Sequence, residues 1–180
     1  MSEVLKSGMP APDFTIQTPW GKTETFYKMA DGKKCFLFFL RYVGCTLCQV
    51  EIHQLIQSYH RFAEKDAKFF VVLQSAPENI RENLTQEQIP FTIICDPEQA
   101  IYRTYHVKAA ENQSEMGTPD LFADKLKIAQ KNGFSHGKYE GNELQLPATF
   151  LIDQDHSILF AHYGSHVGDT PDHGELLKLL

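Results

Sequence analysis

Six consecutive apolar residues, Cys35-Phe36-Leu37-Phe38-Phe39-Leu40, run into a short break, and an amphipathic segment follows from Thr46. A run this short, continuous and rich in aromatics reads as a strand buried on both faces. Cys48, Ile52, Leu55, Tyr59 and Phe62 then recur at spacings of four, three, four and three, so the spacing predicts a helix from Thr46 to about Glu64 with one apolar face. A strand covered on both sides, followed at once by a helix, is the unit from which layered α/β folds are built.

The pattern repeats downstream. Ala67–Leu73 reads as a second buried strand and Phe91–Cys95 as a third. Ser75-Ala76-Pro77-Glu78 reads as a capped helix start, with Glu78 reaching back to the cap and the helix running to about Gln88. Asp96-Pro97-Glu98-Gln99 opens another helix, with proline at its first position and Asp96 as a cap. Thr118-Pro119-Asp120 starts a further one, which Asn132-Gly133 ends. Ala148–Ile152 and Ser157–Tyr163 flank the turn Asp153-Gln154-Asp155-His156 and predict a β-hairpin; Thr170-Pro171-Asp172 opens a last helix. Residues 8–23 are rich in turns around a short apolar stretch, Phe14-Thr15-Ile16. The expected order is β-α-β-α-β-α, an insertion over 107–145, then β-β-α: one domain spanning 1–180 around a central mixed sheet flanked by helices, with an N-terminal extension. At 180 residues the chain is long enough to bury a substantial core.

Lys+Arg 17 against Asp+Glu 23 gives a net charge of -6, which argues against nucleic acid as a partner. The longest apolar run is far below the ~20 residues of a membrane-spanning helix, so no membrane partner is expected. The first residues lack the basic and apolar regions of a secretion signal, which makes the cytoplasm the expected compartment. Neither a P-loop nor a dinucleotide fingerprint is present, and no cofactor is expected.

The four cysteines are Cys35, Cys45, Cys48 and Cys95. Cys35 and Cys95 lie inside predicted strands and read as small buried apolar side chains. Cys45-Thr46-Leu47-Cys48 carries the chemistry. It follows a buried strand and opens a helix, where free backbone N–H groups and the positive end of the dipole favour thiolate. At an ordinary pKa of about 8.5 only ~3% of a thiol is ionised at pH 7, whereas a pKa near 7 gives about half. The spacing makes Cys45 the attacking thiolate, at the helix start within reach of solvent, and Cys48 the resolving thiol that closes a disulfide with it. Such a pair can also be half of a zinc site or be inert. Zinc needs two further ligands, and no closely spaced Cys or His pair supplies them, so no metal is expected. His53 and His60 are placed on the solvent side of their helix. Trp20 reads as packing at a sheet edge, and His136 reads first as a loop residue of the insertion.

Three motifs carry a family resemblance. Gly8-Met9-Pro10-Ala11-Pro12-Asp13-Phe14-Thr15-Ile16, with Trp20-Gly21-Lys22, looks like the opening of peroxiredoxins and their thioredoxin-like relatives. Phe38-Phe39-Leu40-Arg41-Tyr42-Val43-Gly44-Cys45-Thr46-Leu47-Cys48 resembles the active site of the peroxiredoxin-like branch of the alkyl hydroperoxide reductase and thiol-specific antioxidant superfamily. Leu146-Pro147-Ala148-Thr149-Phe150-Leu151-Ile152-Asp153 is similar to the strand after the cis-proline of thioredoxin-like proteins. The resemblance implies a thioredoxin-like fold and an antioxidant oxidoreductase. Cys45 would attack a peroxide or a disulfide, Arg41, Tyr42, Gly44 and Thr46 would line the site, and Pro147 would be the cis-proline. It further implies an external thiol reductant, such as a thioredoxin-like protein, and a homodimer. The alternative is a binding or scaffold protein that keeps the fold. Two departures stand out. Tyr42 occupies the position where the family places Thr or Ser, and the chain has no arginine after Arg103, so Arg41 is the arginine left to serve the thiolate, its side-chain direction open. With the close cysteine pair, these departures shift the expectation toward disulfide exchange.

Overall fold

The computed structural model describes residues 3–180. A short hairpin, β1 (Thr15–Gln17) and β2 (Thr23–Thr25), leads into one turn of helix, α1 (Phe26–Ala30). There follow β3 (Cys35–Phe39), α2 (Thr46–Ala63), β4 (Lys68–Leu73), α3 (Pro77–Asn83), β5 (Thr92–Cys95) and α4 (Ala100–Thr104). After two 3₁₀ turns come α5 (Ala123–Asn132), the hairpin β6 (Ala148–Ile152) and β7 (Ile158–Tyr163), and α6 (His173–Leu177). The main sheet has the order β5-β4-β3-β6-β7. β3 pairs parallel with β4 and antiparallel with β6, so the sheet is mixed, as the sequence predicts.

β3 is buried along its whole length, and its period of two sorts its side chains into two layers. Phe36 and Phe38 join Cys48, Ile52, Leu55 and Phe62 of α2. Leu37 and Phe39 face the other way, onto Phe26 of α1 and Ile101 and Tyr102 of α4. Each face thus removes a row of aromatic side chains from water, the dominant favourable term in folding. The fully buried Tyr102 donates its hydroxyl to Leu40 O (2.6 Å) and Val72 O (3.0 Å), which pins the chain where it leaves β3 for the active-site turn.

Several local expectations are corrected. The stretch around Phe14–Ile16 forms a hairpin strand, and the helical turn α1 behind it was not expected. Ala76, not Ser75, occupies the cap position of α3, and no side chain caps it. Ser75 is drawn away because its hydroxyl accepts from Val43 N and donates to Glu140. α3 ends at Asn83, short of Gln88, with a separate 3₁₀ turn over Gln86–Gln88. α4 begins at Ala100 rather than at Pro97, yet Asp96 does cap it: its carboxylate accepts from Ala100 N, Ile101 N and Tyr102 N. The helix expected from Thr118 is a 3₁₀ turn (Pro119–Phe122) continued by α5, which Gly133 ends in the left-handed region. No helix among the described residues is long and apolar enough to cross a membrane.

Candidate active site

The break between β3 and α2 is a tight turn over 40–45 held by hydrogen bonds to residues 74 and 75. Gln74 N donates to Arg41 O (2.7 Å) and Val43 N to Ser75 Oγ (2.9 Å). Cys45 is the cap residue of α2, with extended backbone angles, and its sulfur accepts from Cys48 N at 3.3 Å. Cys48, one turn in, accepts from Arg41 N at 3.3 Å. Both cysteines carry free thiols.

Arg41 points at the sulfur. Its Nη2 lies 3.2 Å from Cys45 Sγ, while Nη1 donates to Glu143 O at 2.7 Å and lies 3.7 Å from Glu143 Oε2. The side-chain direction left open by the sequence is thus set by a residue far along the chain. The Cys48 thiol, the Arg41 charge and the Cys48 N–H together outweigh burial and hold the Cys45 thiol down, to about 6. Cys48 is pushed the other way, well above an ordinary thiol, by burial and by the charge on Cys45. Two thiols one helical turn apart are therefore divided into a thiolate and a thiol.

Cys45 is 0% exposed and Cys48 5%, which corrects the expectation that solvent reaches Cys45 freely. The cover is a strap formed by residues 134–143. Gly137 N donates to Gly44 O (2.8 Å), and Gln49 Nε2 donates to both Gly44 O and Ser135 O. A Cβ on Gly44 would stand 2.5 Å from Lys138 O, so only glycine lets the two backbones meet. Farther along, Gly141 has φ +61°, and a Cβ there would strike Gln74, whose Oε1 accepts from Asn142 N. The Glu140 carboxylate pins the middle of the strap by accepting from Ser75 Oγ, Ala76 N and Asn79 Nδ2.

Tyr42 is fully buried beside this cover. Its ring lies 5.4 Å from the Arg41 guanidinium carbon, and its hydroxyl is 2.8 Å from His136 Nε2. His136 stacks on Tyr139 with ring centroids 4.1 Å apart. Burial raises the Tyr42 phenol above its ordinary range. Arg41 Nε and Glu143 Oε1 are buried and, among the described residues, have no hydrogen-bond partner.

The remaining expected site residues lie less centrally. Thr46 is the half-buried first residue of α2. Pro147 lines, with Leu40 and Cys48, a cavity of about 10 Å³. Its peptide bond is trans, however, since no cis bond occurs among the described residues, which corrects the cis-proline implied by resemblance. Trans is the isomer an X–Pro bond prefers by about 0.5–1 kcal/mol, and here the Pro147 carbonyl is engaged by Gly164 N at 2.8 Å.

Sequence reasoning missed the strap residues Glu140 and Glu143, and it ranked a site-lining role for His136 below that of a loop residue. It also missed Glu51, buried on α2 one turn beyond Cys48. Glu51 Oε2 accepts from Lys125 Nζ (3.0 Å) and Thr170 Oγ1 (2.9 Å), and Oε1 lies 3.0 Å from His173 Nε2. A signal existed: a carboxylate between Cys48 and Ile52 sits at the edge of the apolar face and requires partners. Among the described residues, no cluster of three or more His, Cys, Asp and Glu side chains could hold a metal.

A family model described as AhpC/TSA family matches residues 7–161. No curated protein matches the sequence. Among solved structures, peroxidoxin BcpB from Mycobacterium tuberculosis is 15% identical with a TM-score of 0.69, over 97% of this chain and 96% of that one. A yeast mitochondrial 1-Cys peroxiredoxin is 16% identical with a TM-score of 0.71, over 98% of this chain and 75% of that one. A protein from Chlorobium tepidum, assigned as thiol:disulfide interchange protein DsbE, is 21% identical with a TM-score of 0.62, over 97% of this chain and 96% of that one. At such identities the likeness is one of fold, the thioredoxin-like α/β arrangement with a mixed central sheet.

Proposed function

The chain belongs to the AhpC/TSA family of thiol-based oxidoreductases, and from that premise we propose that it reduces peroxides at Cys45, with Cys48 as the resolving thiol. The observation that carries the proposal is the shared guanidinium: Arg41 touches Cys45 Sγ with one nitrogen and is held by Glu143 with the other. Such a cation supports both the thiolate and the charge that develops on a peroxide as its O–O bond breaks. The orphaned Arg41 Nε donor and Glu143 Oε1 acceptor beside it suit a small molecule that both donates and accepts hydrogen bonds. Residues 107–145 read as an insertion whose last part supplies this cover.

In the proposed cycle the Cys45 thiolate attacks one peroxide oxygen. The S–O bond forms as the O–O bond breaks, sulfur is oxidised to sulfenic acid, and the other oxygen leaves and takes up a proton. Cys48 then attacks the Cys45 sulfur, forming the disulfide and releasing water. An external dithiol, such as a thioredoxin-like protein, reduces the pair.

Burial favours a peroxide over a protein disulfide as oxidant. A protein disulfide can reach Cys45 only if the strap is displaced with its bonds to Gly44, Ser75 and Asn79, whereas a peroxide needs an opening of its own small cross-section. The same geometry requires the strap to leave when a protein dithiol reduces the pair.

Intact-mass analysis with a free-thiol count tests the proposal. Reduced protein treated with hydrogen peroxide is expected to lose the thiols of Cys45 and Cys48 without gaining oxygen. Cys48→Ser is expected to stop at a mono-oxygenated form that dimedone traps. Retention of both thiols, or disulfide closure within the Cys48→Ser monomer at the same rate, would overturn it.

A further inference from the structure

When a peroxide O–O bond breaks, the leaving oxygen departs as a strong base and needs a proton. Cys45 and Tyr42 are both 0% exposed, so that proton has to be carried through the cover. His136 bridges the two sides: it is exposed, yet its Nε2 is 2.8 Å from the Tyr42 hydroxyl. Its Nδ1 lies 2.8 Å from Gly137 O, which can only accept. Nδ1 therefore carries the proton in the neutral ring, and Nε2 is the acceptor for Tyr42 O–H.

We propose that Tyr42 and His136 form the proton path of the reaction: Tyr42 gives its hydroxyl proton to the oxygen leaving from the peroxide, and His136 replaces it from bulk water. The step balances. The Cys45 thiolate, a hydroperoxide and one proton give the sulfenic acid and an alcohol or water; sulfur is oxidised, the peroxide is reduced, and the proton comes first from the Tyr42 hydroxyl, after which a His136 ring that has taken a second proton from water returns one from Nε2 to the phenolate. The groups that face Tyr42 fit the assignment. The Arg41 guanidinium lies over its ring and stabilises a transient phenolate, while Tyr139 stacks on His136 and fixes the imidazole plane. Glu143 also faces Tyr42: its carboxylate lies against Arg41 and acts on the Tyr42 hydroxyl, so it opposes loss of that proton until the strongly basic leaving oxygen takes it. A tyrosine in a position where a short hydroxyl side chain is expected thus acquires a reason: its longer reach extends to a histidine at the surface.

The inference rests on the peroxidase proposal, and the choice of oxidant separates the two. Reduced full-length protein is mixed in stopped flow with tert-butyl hydroperoxide, whose alkoxide needs a proton, and with peracetic acid, whose carboxylate does not. Tyr42→Phe is expected to slow the first reaction by about 100-fold, the span of a lost general acid, and to leave the second nearly unchanged. His136→Gln, an exposed change that leaves the core intact, is expected to show the same selectivity with a smaller loss. Equal losses with both oxidants, or no loss in either variant, would overturn the proton path while leaving the peroxidase proposal standing. A wild-type protein inert to both oxidants would overturn the peroxidase proposal and this inference with it.

Discussion

Replacing Arg41 by methionine is expected to slow oxidation of Cys45 by hydrogen peroxide by about 10²–10³-fold, the loss seen when one preorganised donor to a developing charge is removed. Two effects combine. The thiolate loses a cation at 3.2 Å, so the Cys45 thiol rises from about 6 toward its ordinary range and less of it is ionised at neutral pH. The transition state loses the same charge on the breaking O–O bond. Arg41→Lys is expected to recover part of the rate, because it keeps the charge but not the planar fork that spans Cys45 Sγ and Glu143 O. Stopped-flow rates for the two variants check this; wild-type rates in Arg41→Met would leave the guanidinium without a role.

Glu51→Ala is expected to destabilise the fold by about 3–5 kcal/mol, the usual effect of removing one partner from a buried ion pair. Only 3% of the Glu51 side chain is exposed, and its loss leaves the Lys125 ammonium without its counter-charge and His173 Nε2 without its carboxylate partner. For a domain of this size that corresponds to a melting temperature lower by roughly 10 °C, measurable by calorimetry. The pH dependence has a definite sign. The charges and hydrogen bonds of His173 and Lys125 overcome burial and hold the Glu51 carboxyl down to about 2, below its unfolded value of about 4.3. Its contribution is therefore complete above pH 4.3 and is lost as pH falls toward 2. A melting temperature unchanged in Glu51→Ala would mean that the Glu51 contacts to Lys125 and His173 add nothing to the joining of α2, α5 and α6.

The parts of the molecule legible in the sequence are those set by local pattern. The aromatic run of β3, the spacing of Cys48, Ile52, Leu55 and Phe62 along α2, and the turn over Asp153–His156 each state their structure within a few residues. The cysteine pair at the start of α2 is legible for the same reason. The cover over the pair is not. Tyr42 and His136 are 94 residues apart and Arg41 and Glu143 are 102 apart, so neither contact leaves a periodic trace. Whether Arg41 points toward the sulfur depends on the Glu143 carbonyl, which only the fold brings near. The same applies to Ser75, read as a helix cap from its neighbours but recruited by Val43 and Glu140. The resemblance of the Leu146–Asp153 segment to thioredoxin-like proteins misassigned the isomer of Pro147, because no local pattern in these residues separates a cis from a trans X–Pro bond.

The most direct test of the central claim, that the Cys48 thiol, Arg41 and the start of α2 make Cys45 the reactive thiolate, is the rate of its oxidation by hydrogen peroxide as a function of pH, with Cys45→Ser as the control. The expected profile rises through about pH 6, the range to which the Cys45 thiol is held, and is flat from pH 7 to 8, with no reaction in Cys45→Ser. A rate that keeps climbing through about pH 8.5, the range of an ordinary thiol, or that survives in Cys45→Ser would contradict it.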